Sequence, residues 1–165
     1  LLADPTVANG ASTAIPEAGI RAFARIWAGW GPSQAFYRHK LHQQLGQETA
    51  ADHMQEFWEP NFLAFDANDL LGMMHTWQVA NIADNDLYEG DFEAACKAIT
   101  AKTILMPCET DLYFPVADNE IQASLMSNVE LRPIPSDWGH IAGAPGLNPV
   151  DSAFIDNAHR ELLAS

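Results

Sequence analysis

The 165 residues include only two cysteines, Cys96 and Cys108, and no C-x-x-C pair. Two thiols are too few for a disulfide framework. Basic residues are also scarce, with 8 Lys+Arg against 22 Asp+Glu and a net charge of -14. So acidic a chain repels phosphate backbones and anionic lipid, so neither nucleic acid nor a membrane surface is an expected partner. No apolar run approaches the roughly 20 residues a bilayer-spanning helix needs. The start Leu1-Leu2-Ala3-Asp4-Pro5 has no Met, no basic stretch and no apolar core of a signal peptide. The expected setting is cytoplasmic or otherwise soluble, and the chain is expected to be processed or cut from something longer. Repeats and low-complexity tracts are absent. So is G-x-S-x-G, the sequence that presents a serine nucleophile at a sharp strand-to-helix turn.

What is present is a core. Apolar residues make up 48% of the chain, and its length suits one compact domain. Residues 1–15 are small and polar and read as a linker or loop. From Pro16 the pattern turns helical, with Ile20, Phe23, Ala24, Trp27 and Ala28 on one face. Further helices are expected over 33–45, 49–58, 69–79 and 92–99. The texture then changes. Thr103-Ile104-Leu105-Met106 is a short apolar run typical of a strand buried on both faces. Residues 118–126 read as a helix, 129–134 as an alternating strand, and Asn148-Pro149 opens a last helix. The fold class is therefore α/β, a helical block over 1–100 followed by strand–helix–strand–helix over 101–165. Two strands do not make a stable independent sheet, so aggregation or oligomerisation is expected of the isolated chain.

In open α/β sheets functional groups sit just beyond the carboxyl ends of strands. Asp111 follows the first expected strand and His140 follows the second. If the strands are parallel neighbours, the carboxylate can accept the histidine's Nδ1–H and leave Nε2 as general base. The alternative is a turn-forming Asp and a loop His that never meet.

Lys102-Thr103-Ile104-Leu105-Met106-Pro107 with Thr110-Asp111-Leu112-Tyr113-Phe114-Pro115 resembles the seventh strand and acid loop of the α/β-hydrolase fold, in its homoserine O-acetyltransferase-like branch. Ile134-Pro135-Ser136-Asp137-Trp138-Gly139-His140 resembles that branch's final strand and histidine loop, and Phe65-Asp66-Ala67-Asn68-Asp69-Leu70 a cap helix. The resemblance implies the C-terminal half of the fold, with 1–100 as linker and helical cap and 101–165 as part of the core. It implies an acyl-ester hydrolase or O-acyltransferase with Asp111 and His140 as acid and base. It also implies no cofactor, although an acyl-CoA can serve as acyl donor. The expected partners are a small ester, alcohol or acyl donor, and an N-terminal half carrying serine and oxyanion hole. Ile141-Ala142-Gly143 follows His140 where homoserine enzymes of the branch have an acidic residue, which puts an amino-acid substrate in doubt. Trp138, His75 and Trp77 are the expected substrate contacts; for His75 the alternative is a core or pocket histidine.

Other groups compete poorly. Gly10–Ala14 and Gly31–Ala35 echo an elbow, but neither follows a strand-like run, and Ser33 beside Pro32 reads as a helix cap. Cys108 has no sequence neighbour to lower its pKa and reads as buried filler. His39 and His42 stand three apart near Glu48, Asp52 and His53, but Lys40 marks a solvated surface and no metal is expected. The rival function is a truncated, non-catalytic chain acting as a binding module.

Overall fold

The computed structural model describes residues 1–9, 11, 12 and 14–164. In chain order, strands β1 (Val7–Ala8) and β2 (Ala11–Ser12) precede helices α1 (Glu17–Trp30) and α2 (Gln34–Arg38). A 3-10 turn over Leu41–Leu45 leads to α3 (Ala50–Asp52), a π-helical stretch at His53–Trp58, α4 (Glu59–Leu63) and α5 (Ala67–Val79). Next come α6 (Phe92–Lys97), β3 (Thr103–Leu105), α7 (Val116–Leu125) and β4 (Val129–Leu131). A 3-10 segment at Gly139–Gly143 and α8 (Pro149–Leu163) complete the order. These elements form two compact units, Leu1–Trp30 with Lys40–Ala80 and Gly31–His39 with Asn81–Ser165.

In the first unit, Ile20, Ala24 and Ala28 recur every four residues on α1 and are at most 1% exposed. The same helix supplies Phe23 and Trp27, whose rings meet Phe62 at 5.2 and 5.8 Å. The buried Glu59 carboxylate is shared by Arg21 at 2.5 Å and Arg25 at 2.7 Å, which ties α4 to α1. Thr49 caps α3 in a reciprocal capping box with Asp52. The expected helix over 49–58 runs on through the wide turn at His53–Trp58 into α4, where Pro60 stands near the start and needs no N–H partner.

Three expectations are refined or corrected here. Residues 1–15, expected as a linker or loop, carry local structure: β1 and β2 pair antiparallel, Val7 with Ser12 and Ala8 with Ala11. The Asp4 carboxylate also accepts from Thr6 and from the Gly19 N–H. The helix expected over 33–45 breaks because Lys40 adopts left-handed φ 55°, which no helix accommodates. Finally, His42 is not on a solvated surface but is 3% exposed, beside the fully buried His53.

The second unit is built on β3 and β4, which pair in parallel with Thr103, Ile104 and Leu105 opposite Val129, Glu130 and Leu131. Helix α7 makes the crossover that a parallel pair requires. β3 is half-buried rather than buried on both faces, since among the described residues it pairs with β4 alone. The pairing outlasts the strands. Arg132 N–H donates to the Leu105 carbonyl, Ile134 N–H to Pro107, and Glu109 N–H to Ile134, at 2.8 to 3.0 Å. Both chains thus leave the sheet at one edge, side by side. Asn148 caps α8 by accepting from Val150 N–H, and Ala158 anchors its inner face. No helix among the described residues is long and apolar enough to cross a membrane.

Candidate active site

The continued parallel pairing brings Asp111 and His140 together. Asp111 sits in a turn closed by its own N–H to the Cys108 carbonyl at 3.1 Å. One carboxylate oxygen, Oδ1, accepts from the N–H groups of Tyr113 at 2.7 Å and Phe114 at 3.2 Å. The other, Oδ2, faces His140 Nδ1 at 3.1 Å. The carboxylate is only 6% exposed and the imidazole 29%. A carboxylate facing Nδ1 accepts a hydrogen bond from its N–H, and in the neutral ring that leaves the lone pair on Nε2. Among the described residues nothing hydrogen-bonds Nε2. That is the tautomer a general base needs.

The ring is held from several directions. Tyr113 meets it edge-on at 5.1 Å and Phe114 lies at 5.4 Å. Burial, with the charge of Asp111, raises the Tyr113 hydroxyl's pKa, so it stays a neutral phenol beside the pair. His140 N–H donates to the Gly31 carbonyl at 2.8 Å. Gly139 precedes it at φ 67°, and a Cβ there would lie 2.7 Å from Ser33 N and 2.8 Å from Gly31 O. Only glycine fits. Ser33 is the expected helix cap, accepting from Phe36 N–H at 2.9 Å, and its hydroxyl also donates to the Asp137 carbonyl at 2.5 Å. His39, at the end of α2, pairs with Asp137 at 2.8 Å. The Asp111–His140 pair opens on a cavity of about 310 Å³ whose apolar wall includes Met106, Phe114 and Ile134.

The other expected site residues have these surroundings. Trp138 is 3% exposed and packs edge-on against Phe36 at 5.3 Å, supporting the histidine loop from inside. His75 and Trp77 lie on α5 in the first unit, both exposed, so a core role for His75 is excluded; Trp77 rests against Trp27 at 5.9 Å. Cys108 is buried, its thiol pKa is pushed up by that burial, and Sγ contacts the Ser136 carbonyl at 3.2 Å. Of the Gly10–Ala14 elbow echo, Gly10 and Thr13 lie outside the described residues. Among the described residues no group of three His, Cys, Asp or Glu is arranged to hold a metal ion. The sequence reading missed Tyr113, Phe114 and Thr110 as neighbours of the pair. Their adjacency to Asp111 was visible, but nothing local says they face His140.

Set against known proteins, the chain is 31% identical over 162 residues to a probable esterase of Corynebacterium glutamicum, covering 97% of this chain and 45% of that protein. It is 33% identical over 157 residues to an ethyl acetate hydrolase of Pseudomonas veronii, covering 93% and 43%. The likeness is to esterases. Crystal structures agree: an acetylester hydrolase from Corynebacterium glutamicum superposes with a TM-score of 0.85 at 31% identity, over 91% of this chain and 42% of that one. The acetyl esterase MekB gives 0.85 at 32%, over 91% and 43%. The chain therefore spans less than half the length of the curated relatives it matches. No protein-family model matches it.

Proposed function

We propose that this chain supplies the acid and the base of a serine-type ester hydrolase of the α/β-hydrolase fold, acting on short-chain acyl esters. The observation that carries the reading is the Asp111–His140 contact, with Nδ1 bound and Nε2 without a hydrogen-bond partner among the described residues. The relatives named for ethyl acetate and acetyl esters support a small acyl group and water as the acceptor. The nucleophile and oxyanion hole come from polypeptide outside these residues, since G-x-S-x-G does not occur among the 165. Residues 1–100 serve as linker and helical cap and 101–165 as part of the catalytic core.

In the proposed reaction His140 Nε2 takes the serine proton as Oγ attacks the ester carbonyl. Asp111 holds the ring and stabilises the imidazolium that results. His140 then gives that proton to the leaving alkoxide, releasing the alcohol and leaving an acyl-serine. Water repeats the sequence: Nε2 accepts its proton, hydroxide adds to the acyl carbon, and the carboxylic acid leaves as serine regains its hydrogen. Transfer to an alcohol, as in the homoserine O-acetyltransferase-like branch, would use the same pair with a different acceptor. Hydrolysis is favoured by the names of the relatives.

The test is turnover of ethyl acetate by the native polypeptide containing this segment, with His140→Ala and Asp111→Asn. Each is expected to lose most activity, and the double variant to lose little more than H140A alone, as groups acting as a unit do. A labelled fluorophosphonate should leave the isolated 165 residues unmarked. Labelling there would show an internal nucleophile and sink the division of roles.

A further inference from the structure

The two loops of the site are joined by one hydroxyl. Thr110 Oγ1 donates to the Ser136 carbonyl at 2.8 Å and accepts from the Gly139 N–H at 3.1 Å. Thr110 immediately precedes Asp111, and Gly139 immediately precedes His140. The hydroxyl therefore bridges the residues next to the acid and the base, uses both its donor and an acceptor position, and sets the span between the loops.

The far end of this bridge is anchored in turn. Ser136 Oγ donates to Asp151 Oδ2 at 2.8 Å and accepts from the Trp138 N–H at 3.1 Å. Asp151 is 3% exposed in the first turn of α8, where a negative charge is favoured by the helix dipole. Ser136 is 9% exposed. A buried carboxylate holding one hydroxyl, which holds one loop N–H, is a rigid brace in a region of low dielectric. Cys108 Sγ reaches the same Ser136 carbonyl at 3.2 Å, so the oxygen that Thr110 grips is fixed from two sides.

We infer that Thr110 is a positioning residue that sets the Asp111–His140 separation through Gly139 and Ser136, with Asp151 as its buried anchor. The inference rests on the reading of Asp111 and His140 as acid and base. Thr110 touches neither reacting atom. Its effect comes from geometry: a displacement of about 1 Å in an acid–base pair costs on the order of a hundredfold in rate.

The experiment is Thr110→Val, which keeps shape and volume but removes the hydroxyl, in the native polypeptide, with Thr110→Ser and H140A alongside. The T110V kcat should fall ten- to a hundredfold with KM changed less than about threefold. The downfield proton resonance of the His140 Nδ1–H bond should vanish, and T110S should restore both. Thr110→Ala, which adds no bulk, repeats the measurement where T110V does not fold. Wild-type kcat in a folded T110V or T110A, or a lost kcat with the resonance intact, would overturn the inference. An active H140A would instead overturn the reading it rests on, so the two failures are distinguishable.

Discussion

Two of the histidines held by polar partners, His53 and His140, are built for opposite ends. His53, in the first unit, is fully buried, with Nδ1 on the Gln47 side-chain carbonyl at 3.1 Å and Nε2 accepting the Trp58 indole N–H at 2.9 Å. Both nitrogens are spent on neutral partners. Burial, with the nearby His42, pushes its pKa down to about 4. His140, in the second unit, is a third exposed, faces a carboxylate, and leaves Nε2 open. A perturbed pKa alone points to His53, whereas the geometry behind the proposed role points to His140. An occupied nitrogen cannot move a proton; an open one backed by a carboxylate can.

The largest effect expected from this contrast is on rate. Replacing His140 by alanine should cost on the order of a millionfold in kcat for ester hydrolysis, as loss of a triad base does. Stability should change little, because the ring is partly exposed. Steady-state kinetics alongside urea denaturation checks both halves.

The next effect belongs to His53 and is one of stability. The folded state leaves this ring neutral until about pH 4, while the unfolded chain protonates it near 6.5. Its contribution is therefore complete above pH 6.5 and is lost as pH falls from 6.5 to 4, by up to about 3 kcal/mol. Denaturation midpoints for wild type and His53→Gln across that window should differ in slope, with the variant flatter. An equal slope would remove His53 from the account.

How much of this was legible in the sequence divides along the same line. The strand–helix–strand–helix order was legible in apolar runs, and distance past strand ends made a meeting of Asp111 with His140 possible. Those are local signals multiplied by one topological rule. Only the α/β-hydrolase resemblance chose that meeting over a turn-forming Asp and a loop His that never meet. The break at Lys40 was not legible, because a lysine carries no preference for φ 55°. Nor was the burial of His42, whose neighbour Lys40 pointed to solvent. Thr110, Ser136 and Asp151 span 42 residues, and their hydrogen bonds exist only once the parallel register is set.

Smaller effects sharpen the contrast at its edges. Gly139→Ala places a Cβ against Ser33 and Gly31 at positive φ, and should cost about 1–3 kcal/mol in stability along with activity. A variant that melts like wild type would show that the loop has slack. Smallest of all, Lys97→Ala removes an exposed ion pair with Glu93 on α6. It should leave both the melting midpoint and turnover indistinguishable from wild type. Thermal melts and the same ester assay read both.

The most direct measurement sets the two histidines side by side: ethyl acetate turnover by H140A and by His53→Ala, each at a temperature where it is folded. The expected result is a loss of a thousandfold or more for H140A and a kcat within about threefold of wild type for H53A. Activity surviving in H140A, or vanishing in a folded H53A, would contradict the assignment of the acid–base pair to Asp111 and His140.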